Sequence, residues 1–171
     1  VHIGRSDDDR GIAGKTPGLD RDMTLVVVHR EDRVVAALDA LARDLALVDV
    51  HVVSNIDGVA LEAAFAACDP ATTMIAVASK TFTTIETMTN AASALQWLEE
   101  NGVADPLGRV VALTAAPEKA VEWGVDETRV LPFATSVGGR YSLWSSIGFP
   151  VALAIGVEEF EAMLAGAAAM D

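Results

Sequence analysis

Short apolar runs alternate along the chain with stretches whose apolar positions recur every three or four residues. Thr24-Leu25-Val26-Val27-Val28-His29 is continuous and β-branched, which suits a strand buried on both faces, and Val34, Val35, Leu38, Leu41 and Leu45 then share one helical face. Val50-His51-Val52-Val53 predicts the next strand, with Leu61, Ala64 and Phe65 marking a helix after Gly58. Met74-Ile75-Ala76-Val77-Ala78 predicts a third strand. Ile85, Met88, Ala92, Leu95 and Leu98 follow at helical spacing until Asn101-Gly102 closes the helix. Arg109-Val110-Val111-Ala112-Leu113 predicts a fourth strand, followed by a short helix from Glu118 to Trp123, and Arg129-Val130-Leu131-Pro132 a fifth. Beyond the Gly138-Gly139 turn, two helices are predicted, Leu143 to Ile155 and Val157 to Ala169, the second with Val157, Phe160, Leu164 and Ala167 on one face. Such alternation implies an α/β fold, a parallel sheet with helices on both faces.

Composition narrows the picture without changing it. A chain of 171 residues suits one domain with a sizeable core. Lys and Arg number 12 against 25 Asp and Glu, a net charge of −13, which argues against binding nucleic acid or an anionic membrane. The longest apolar stretch, Leu143 to Val157, is broken by serine, glycine and proline and is too short to span a bilayer. Cys68 is the single cysteine and has no internal partner, and the chain opens at Val1 with neither a methionine nor a basic-then-apolar run, so a cytoplasmic and partial chain is expected.

The candidate chemistry sits where the third strand meets its helix. Ser79-Lys80-Thr81-Phe82-Thr83-Thr84 places four hydroxyls and one ammonium at that junction. A helix start offers unpaired N–H groups and a partial positive charge, and lysine adds a point charge suited to phosphate. The residues alone leave two readings open: an anion site, or an ordinary Ser/Thr cap beside a solvated lysine. Gly138-Gly139-Arg140 is a second constellation, paired glycines freeing a guanidinium either for an oxyanion or for a surface carboxylate. Gly11-Ile12-Ala13-Gly14-Lys15-Thr16 mimics a nucleotide loop, but its glycine spacing is too short and Pro17-Gly18 blocks an immediate helix. His2, His29 and His51 form no metal or triad pattern, and no metal site or cofactor is expected.

Three strings carry a family resemblance. Ala78 to Ala91, reading ASKTFTTIETMTNA, resembles the phosphate-binding segment of the glucose-6-phosphate isomerase family. Val137 to Ser145, VGGRYSLWS, resembles a second signature of that family, and Val53 to Gly58, VSNIDG, a third. They fall in family order between about Ala40 and Asp171. The resemblance implies a flavodoxin-like sugar-isomerase domain over residues 24–171, preceded by a divergent polar segment over residues 1–23. It further implies interconversion of glucose 6-phosphate and fructose 6-phosphate in glycolysis and gluconeogenesis, and a homodimer in the complete enzyme. Ser79, Lys80, Thr81, Phe82, Thr83 and Thr84 would hold the sugar phosphate, Gly139 would lie next to the substrate, and Arg140 would be catalytic, steadying an enediolate.

Departures from the pattern matter as well. In the family the glutamate base, a histidine that assists ring opening and a late lysine follow the matched segments, so the resemblance places them beyond Asp171 and implies that the isolated chain is inactive. Glu86, a helix residue next to the loop, reads as a capping or pairing carboxylate rather than a substitute base. Val1-His2-Ile3-Gly4 resembles the end of the family's first strand, but Arg5-Ser6-Asp7-Asp8-Asp9-Arg10 replaces the glycine-serine loop that should follow, with Ser6 as the candidate counterpart of its serine. Thr135-Ser136 stands where an acidic residue is usual. Three functions remain in play: the phosphate-binding part of an isomerase, a non-catalytic sugar-phosphate-binding domain, and a fragment that leaves apolar helix faces uncovered.

Overall fold

Each of the five short apolar runs read as strands becomes one, because a β-branched segment of five or so residues satisfies its backbone by pairing with neighbours like itself. The computed structural model describes residues 24–28, 48–54 and 56–170, the side chains of residues 24–28 and 139–141 being outside that description. The expected helix carrying Val34 to Leu45 and the polar segment 1–23, with His2, Ser6 and the Gly11–Thr16 stretch, lie outside the described residues, as does His29.

Strands β1 (Thr24–Val28), β2 (Asp49–Val53), β3 (Thr73–Ala78), β4 (Val110–Thr114) and β5 (Val130–Pro132) form one sheet in the order β2-β1-β3-β4-β5. All neighbours are parallel, with Val28 opposite both Val53 and Val77, Ala78 opposite Leu113, and Thr114 opposite Pro132. Helices α1 (Gly58–Ala67), α2 (Ile85–Glu100), α3 (Pro117–Trp123), α4 (Phe149–Ile155) and α5 (Val157–Ala168) complete the described elements. The strand order is that of flavodoxin-like sheets, the α/β class expected from the sequence.

Side chains alternate across the sheet and divide the core in two. Ile75, Val77, Val110 and Ala112 pack under α1, α2 and α3 with Leu61, Ala91 and Leu98. Ala76, Ala78 and Leu113 face the other way, toward Ile147, Phe149 and Leu153. β3 is therefore covered on both faces, with Ile75, Ala76 and Val77 at 0% exposure. Phe65 of α1 stacks on Trp97 of α2, with ring centroids 4.5 Å apart and planes within 3°, so the two helices are joined away from the sheet as well. Asp57 caps α1, its carboxylate accepting from the N–H groups of Val59 at 3.0 Å and Ala60 at 3.2 Å, which gives the aspartate of the VSNIDG string a structural task.

Two helical expectations need correction. The buried face of α2 is Thr87, Asn90, Ala91, Ala94 and Leu98, whereas Ile85 is 72% exposed and Ala92 faces solvent. The two buried alanines let the helix approach the sheet closely, so the stripe of larger side chains is turned aside and Met88 and Leu95 are only half-buried. The expected continuous helix from Leu143 to Ile155 is instead a 3-10 turn at Gly139–Trp144, another at Ser146–Gly148, and then α4. Ser145 interrupts the ladder: its hydroxyl donates to the Ser142 carbonyl at 2.6 Å and accepts from the Ile147 N–H at 3.3 Å. Pro150, which has no N–H, then fits the first turn of α4. On α5, Phe160 packs against α4 but Val157 is 61% exposed, so the expected apolar face is covered only in part among the described residues.

Gly148 marks the tightest approach at this corner, since a Cβ there would lie 2.5 Å from the Leu143 carbonyl oxygen and 2.5 Å from the Phe160 ring. Gly148→Ala is expected to destabilise the fold by about 1–3 kcal/mol through overpacking. Gly166→Ala, inside α5 with nothing within 4 Å of its would-be Cβ, should stabilise it, by about 0.5–1 kcal/mol. Urea midpoints measure both, and a shift of the two variants in the same direction would contradict this packing. Cys68, at the end of α1, has its thiol pushed up to about 11, mainly by burial, with the Asp49 charge adding and a Thr73 hydrogen bond opposing. Iodoacetamide should therefore alkylate it about a hundredfold more slowly at pH 8 than a free cysteine, the rate climbing toward pH 11. Free-thiol rates in the folded protein at pH 8 would refute this environment.

Candidate functional site

The sheet order reverses between β1 and β3: the chain leaves β1 for β2 on one side and leaves β3 for β4 on the other. In open parallel sheets, a reversal of this kind is where ligands bind, outside the carboxyl ends of the strands on either side of it. Ser79 to Thr84 is the connection that leaves β3 at this point.

The loop is held from beneath by β4. Ser79 N–H donates to the Leu113 carbonyl at 3.0 Å, extending the β3–β4 ladder by one bond. The Lys80 carbonyl accepts from Ala115 N–H at 3.1 Å and from the Thr114 hydroxyl at 3.3 Å, and Thr114 in turn accepts from Ala116 N–H at 3.1 Å. A turn closes with Phe82 N–H on the Ser79 carbonyl at 3.3 Å. Phe82 stands at φ 52, in the left-handed region that a bulky residue enters at a cost of about 1–2 kcal/mol. Its ring is 4% exposed and meets Trp123 edge to face at 5.9 Å and 71°. Burying a phenylalanine contributes about 2–3 kcal/mol, more than the backbone costs. The side chain of Phe82 thus belongs to the core, and only its backbone can face a ligand.

With Phe82 turned inward, the hydroxyls on either side of it turn outward. Thr81 and Thr83 are exposed and share a hydrogen bond at 2.9 Å, while buried Ser79 donates to the Thr84 hydroxyl at 3.3 Å. Thr84 is the N-cap of α2, yet its side chain makes no capping bond, and Met88 N–H takes its carbonyl instead at 2.9 Å. The ordinary-cap reading of these hydroxyls therefore fails at the residue best placed to serve it. What remains is a helix start without a side-chain cap from Thr84, preceded by four hydroxyls bonded to one another in pairs. That arrangement can take up an oxyanion with little rearrangement.

Lys80 is exposed, and its ammonium lies 3.6 Å from where a Cβ on Gly138 would stand. The tertiary fold therefore brings together two segments far apart in the chain. Gly138, extended at φ −179, caps the 3-10 turn Gly139–Trp144, so Gly139 and Arg140 follow directly from the residue beside Lys80. Glu86 sits in the first turn of α2, where a carboxylate is favoured by the helix dipole. His51 lies two strands from β3, on the edge strand beside Ala60, Ala63 and Ala64, and takes no part in the loop after β3.

Sequence reading missed Thr114 and Trp123, which brace the loop from β4 and α3. Nothing in their local sequence signals this, because the contacts span the β3–β4 pairing. The structure also has an open groove of about 570 Å³ at the opposite end of the sheet, lined by Asp69, Asn101, Asp105 and Arg109 among others. Its polar groups already serve local turns: Asp69 accepts from Ala71 N–H, Asp105 from Gly108 N–H, and Asn101 donates to the Trp97 carbonyl. Asp126, on a distant turn, has its carboxyl held below the usual range by its Thr128 hydrogen bonds. Among the described residues no helix is long and apolar enough to cross a membrane.

Known proteins share both the sequence and the fold. The sequence model of the phosphoglucose isomerase family, described as "Phosphoglucose isomerase", matches residues 33–171. A glucose-6-phosphate isomerase of Erythrobacter litoralis is 84% identical over 135 residues, which are 79% of this chain and 26% of that relative. One from Novosphingobium aromaticivorans is 82% identical over 135 residues, 79% of this chain and 27% of its own length. The chain thus spans about a quarter of the length of these relatives. The crystal structure of a glucose-6-phosphate isomerase from Chlamydia trachomatis superposes with a TM-score of 0.72 at 29% identity, covering 87% of this chain and 29% of that one. A hypothetical protein of Thermus thermophilus shares the fold, with a TM-score of 0.64 at 24% identity over 77% of this chain and 32% of that protein. The sequence match over residues 33–171, the identities above 80% and the shared sheet agree that this chain belongs to the phosphoglucose isomerase family.

Proposed function

We propose that this chain is the phosphate-anchoring part of a glucose-6-phosphate isomerase and that residues 24–171 are its sugar-isomerase domain. The observation that carries the reading is the start of α2 without a side-chain cap, preceded by a loop that carries Lys80 and whose four hydroxyls, on Ser79, Thr81, Thr83 and Thr84, bond one another in pairs. A sugar phosphate dianion would exchange the weak hydroxyl pairs for charge-assisted bonds, and the helix N–H groups would gain the partner they lack. In a chain of net charge −13 the local cation matters more, because the general field repels the ligand.

The chemistry follows from the substrate. Interconverting an aldose and a ketose phosphate means opening the ring, removing a proton from the carbon next to the carbonyl and returning it to the neighbouring carbon through an enediolate. No net oxidation occurs, so no redox cofactor enters the scheme. Arg140, with Gly139 beside the substrate, would supply the fixed positive charge that an enediolate needs. The loop holds the distal phosphate and so fixes the carbon chain against that charge. The proton-transferring base lies on chain outside these 171 residues, as does the second subunit of the complete homodimer, and the enzyme works in the cytoplasm in glycolysis and gluconeogenesis.

Calorimetric titration with fructose 6-phosphate tests the anchor. Removing a charge-assisted contact by Lys80→Ala should weaken binding about ten- to hundredfold. Affinity unchanged by that substitution would remove the loop from the site. A coupled isomerase assay tests the division of labour: binding without turnover is expected of this chain, and turnover at the rate of a complete isomerase would place the base within it. A complete enzyme that keeps this chain's binding yet never turns over would favour a non-catalytic sugar-phosphate domain.

A further inference from the structure

We infer that Trp123 is a positioning residue for the phosphate loop, acting through Phe82. The inference rests on the reading of that loop as the phosphate anchor. Phe82 holds a left-handed backbone, φ 52, that is disfavoured for any residue with a Cβ, and it is the one non-glycine residue in that region among those described. A loop free to relax would return it to negative φ and swing Thr81 and Thr83 away from each other. The ring prevents this. It is 4% exposed and its partner is the Trp123 indole, 5.9 Å away and inclined at 71°. Edge-to-face aromatic contacts carry a directional attraction beyond simple burial, so the indole holds the ring in place and in orientation.

Trp123, half-buried, sits at a closely packed helix end. It is the last residue of α3, which Gly124 ends at φ +116 by donating to the Val121 carbonyl at 3.0 Å. A Cβ on Gly124 would stand 3.1 Å from Leu107, so the helix end is packed closely against the turn before β4. A side chain 41 positions along the chain from Phe82 thereby sets how the hydroxyls flanking Phe82 present themselves. Trp123 touches no ligand in this scheme. Its effect is on the geometry with which Thr81, Thr83 and the backbone between them meet an oxyanion.

Fructose 6-phosphate affinity, measured by calorimetry on the folded chain, tests the inference. Trp123→Leu should weaken binding about five- to tenfold, while Trp123→Phe, which keeps an aromatic edge, stays within about twofold of the unmodified chain. Phe82→Leu should show the same loss from the loop side, and the double variant should bind no more weakly than the weaker single one. A purely structural tryptophan would instead lower the melting temperature and leave the affinity of the folded protein unmoved. Undiminished affinity in Trp123→Leu overturns the inference, as do losses that simply add. Should Trp123→Leu fail to fold, Phe82→Leu with normal affinity overturns it equally. Failure of the unmodified chain to bind any fructose 6-phosphate would sink the phosphate reading itself, and this inference with it.

Discussion

Everything in this fold depends on β3 lying between β1 and β4 with both of its faces covered. Its residues Ile75, Ala76 and Val77 are fully buried, and the parallel partners on either side use up its backbone groups. Parallel strands need crossovers, and right-handed crossovers that leave neighbouring strands in opposite directions open a crevice at the carboxyl end. The loop Ser79–Thr84 leaves the carboxyl end of β3 beside that reversal because β3 is central. At an edge strand the same six residues would be a solvent-exposed helix entry, and their hydroxyls would have nothing to converge upon.

Within the loop, the polar and apolar residues divide the work. Phe82 goes down into the core against Trp123, and the energy of burying its ring exceeds the cost of its left-handed backbone. The hydroxyls are what is left on the outer side, bonded to each other at 2.9 and 3.3 Å and not used to cap α2. Lys80 stands beside Gly138, more than fifty residues further along the chain, so the fold brings these two segments together.

Legibility in the sequence followed the range of the forces involved. Strands β3, β4 and β5 lie within a residue or so of the apolar runs, because continuous β-branched or small apolar segments have few alternatives to a buried strand. The close of α2 at Asn101 is equally plain, the Asn101 side chain donating to the Trp97 carbonyl at 2.8 Å. The face that α2 buries is not legible in the same way, since spacing identifies an apolar stripe but not how near the sheet allows the helix to come. Ala91 and Ala94 take the buried face while the larger Ile85 is left 72% exposed, because the small side chains permit a closer approach. The break between Leu143 and Phe149 escapes a local reading for a similar reason: the Ser145 hydroxyl donates to the Ser142 carbonyl, and Gly148 is pressed between the Leu143 carbonyl and the Phe160 ring.

Local patterns, and strings matched residue by residue, were enough to establish the family, the α/β alternation and the residue types of the loop after β3. Whether the hydroxyls of that loop cap a helix or await a ligand was undecidable from the chain alone. Folding decided that Thr84 leaves α2 uncapped, that Phe82 points inward to Trp123, and that Lys80 stands beside Gly138. Each of these depends on which strands become neighbours, and strand order is set by burial summed over the whole sheet rather than by any one segment.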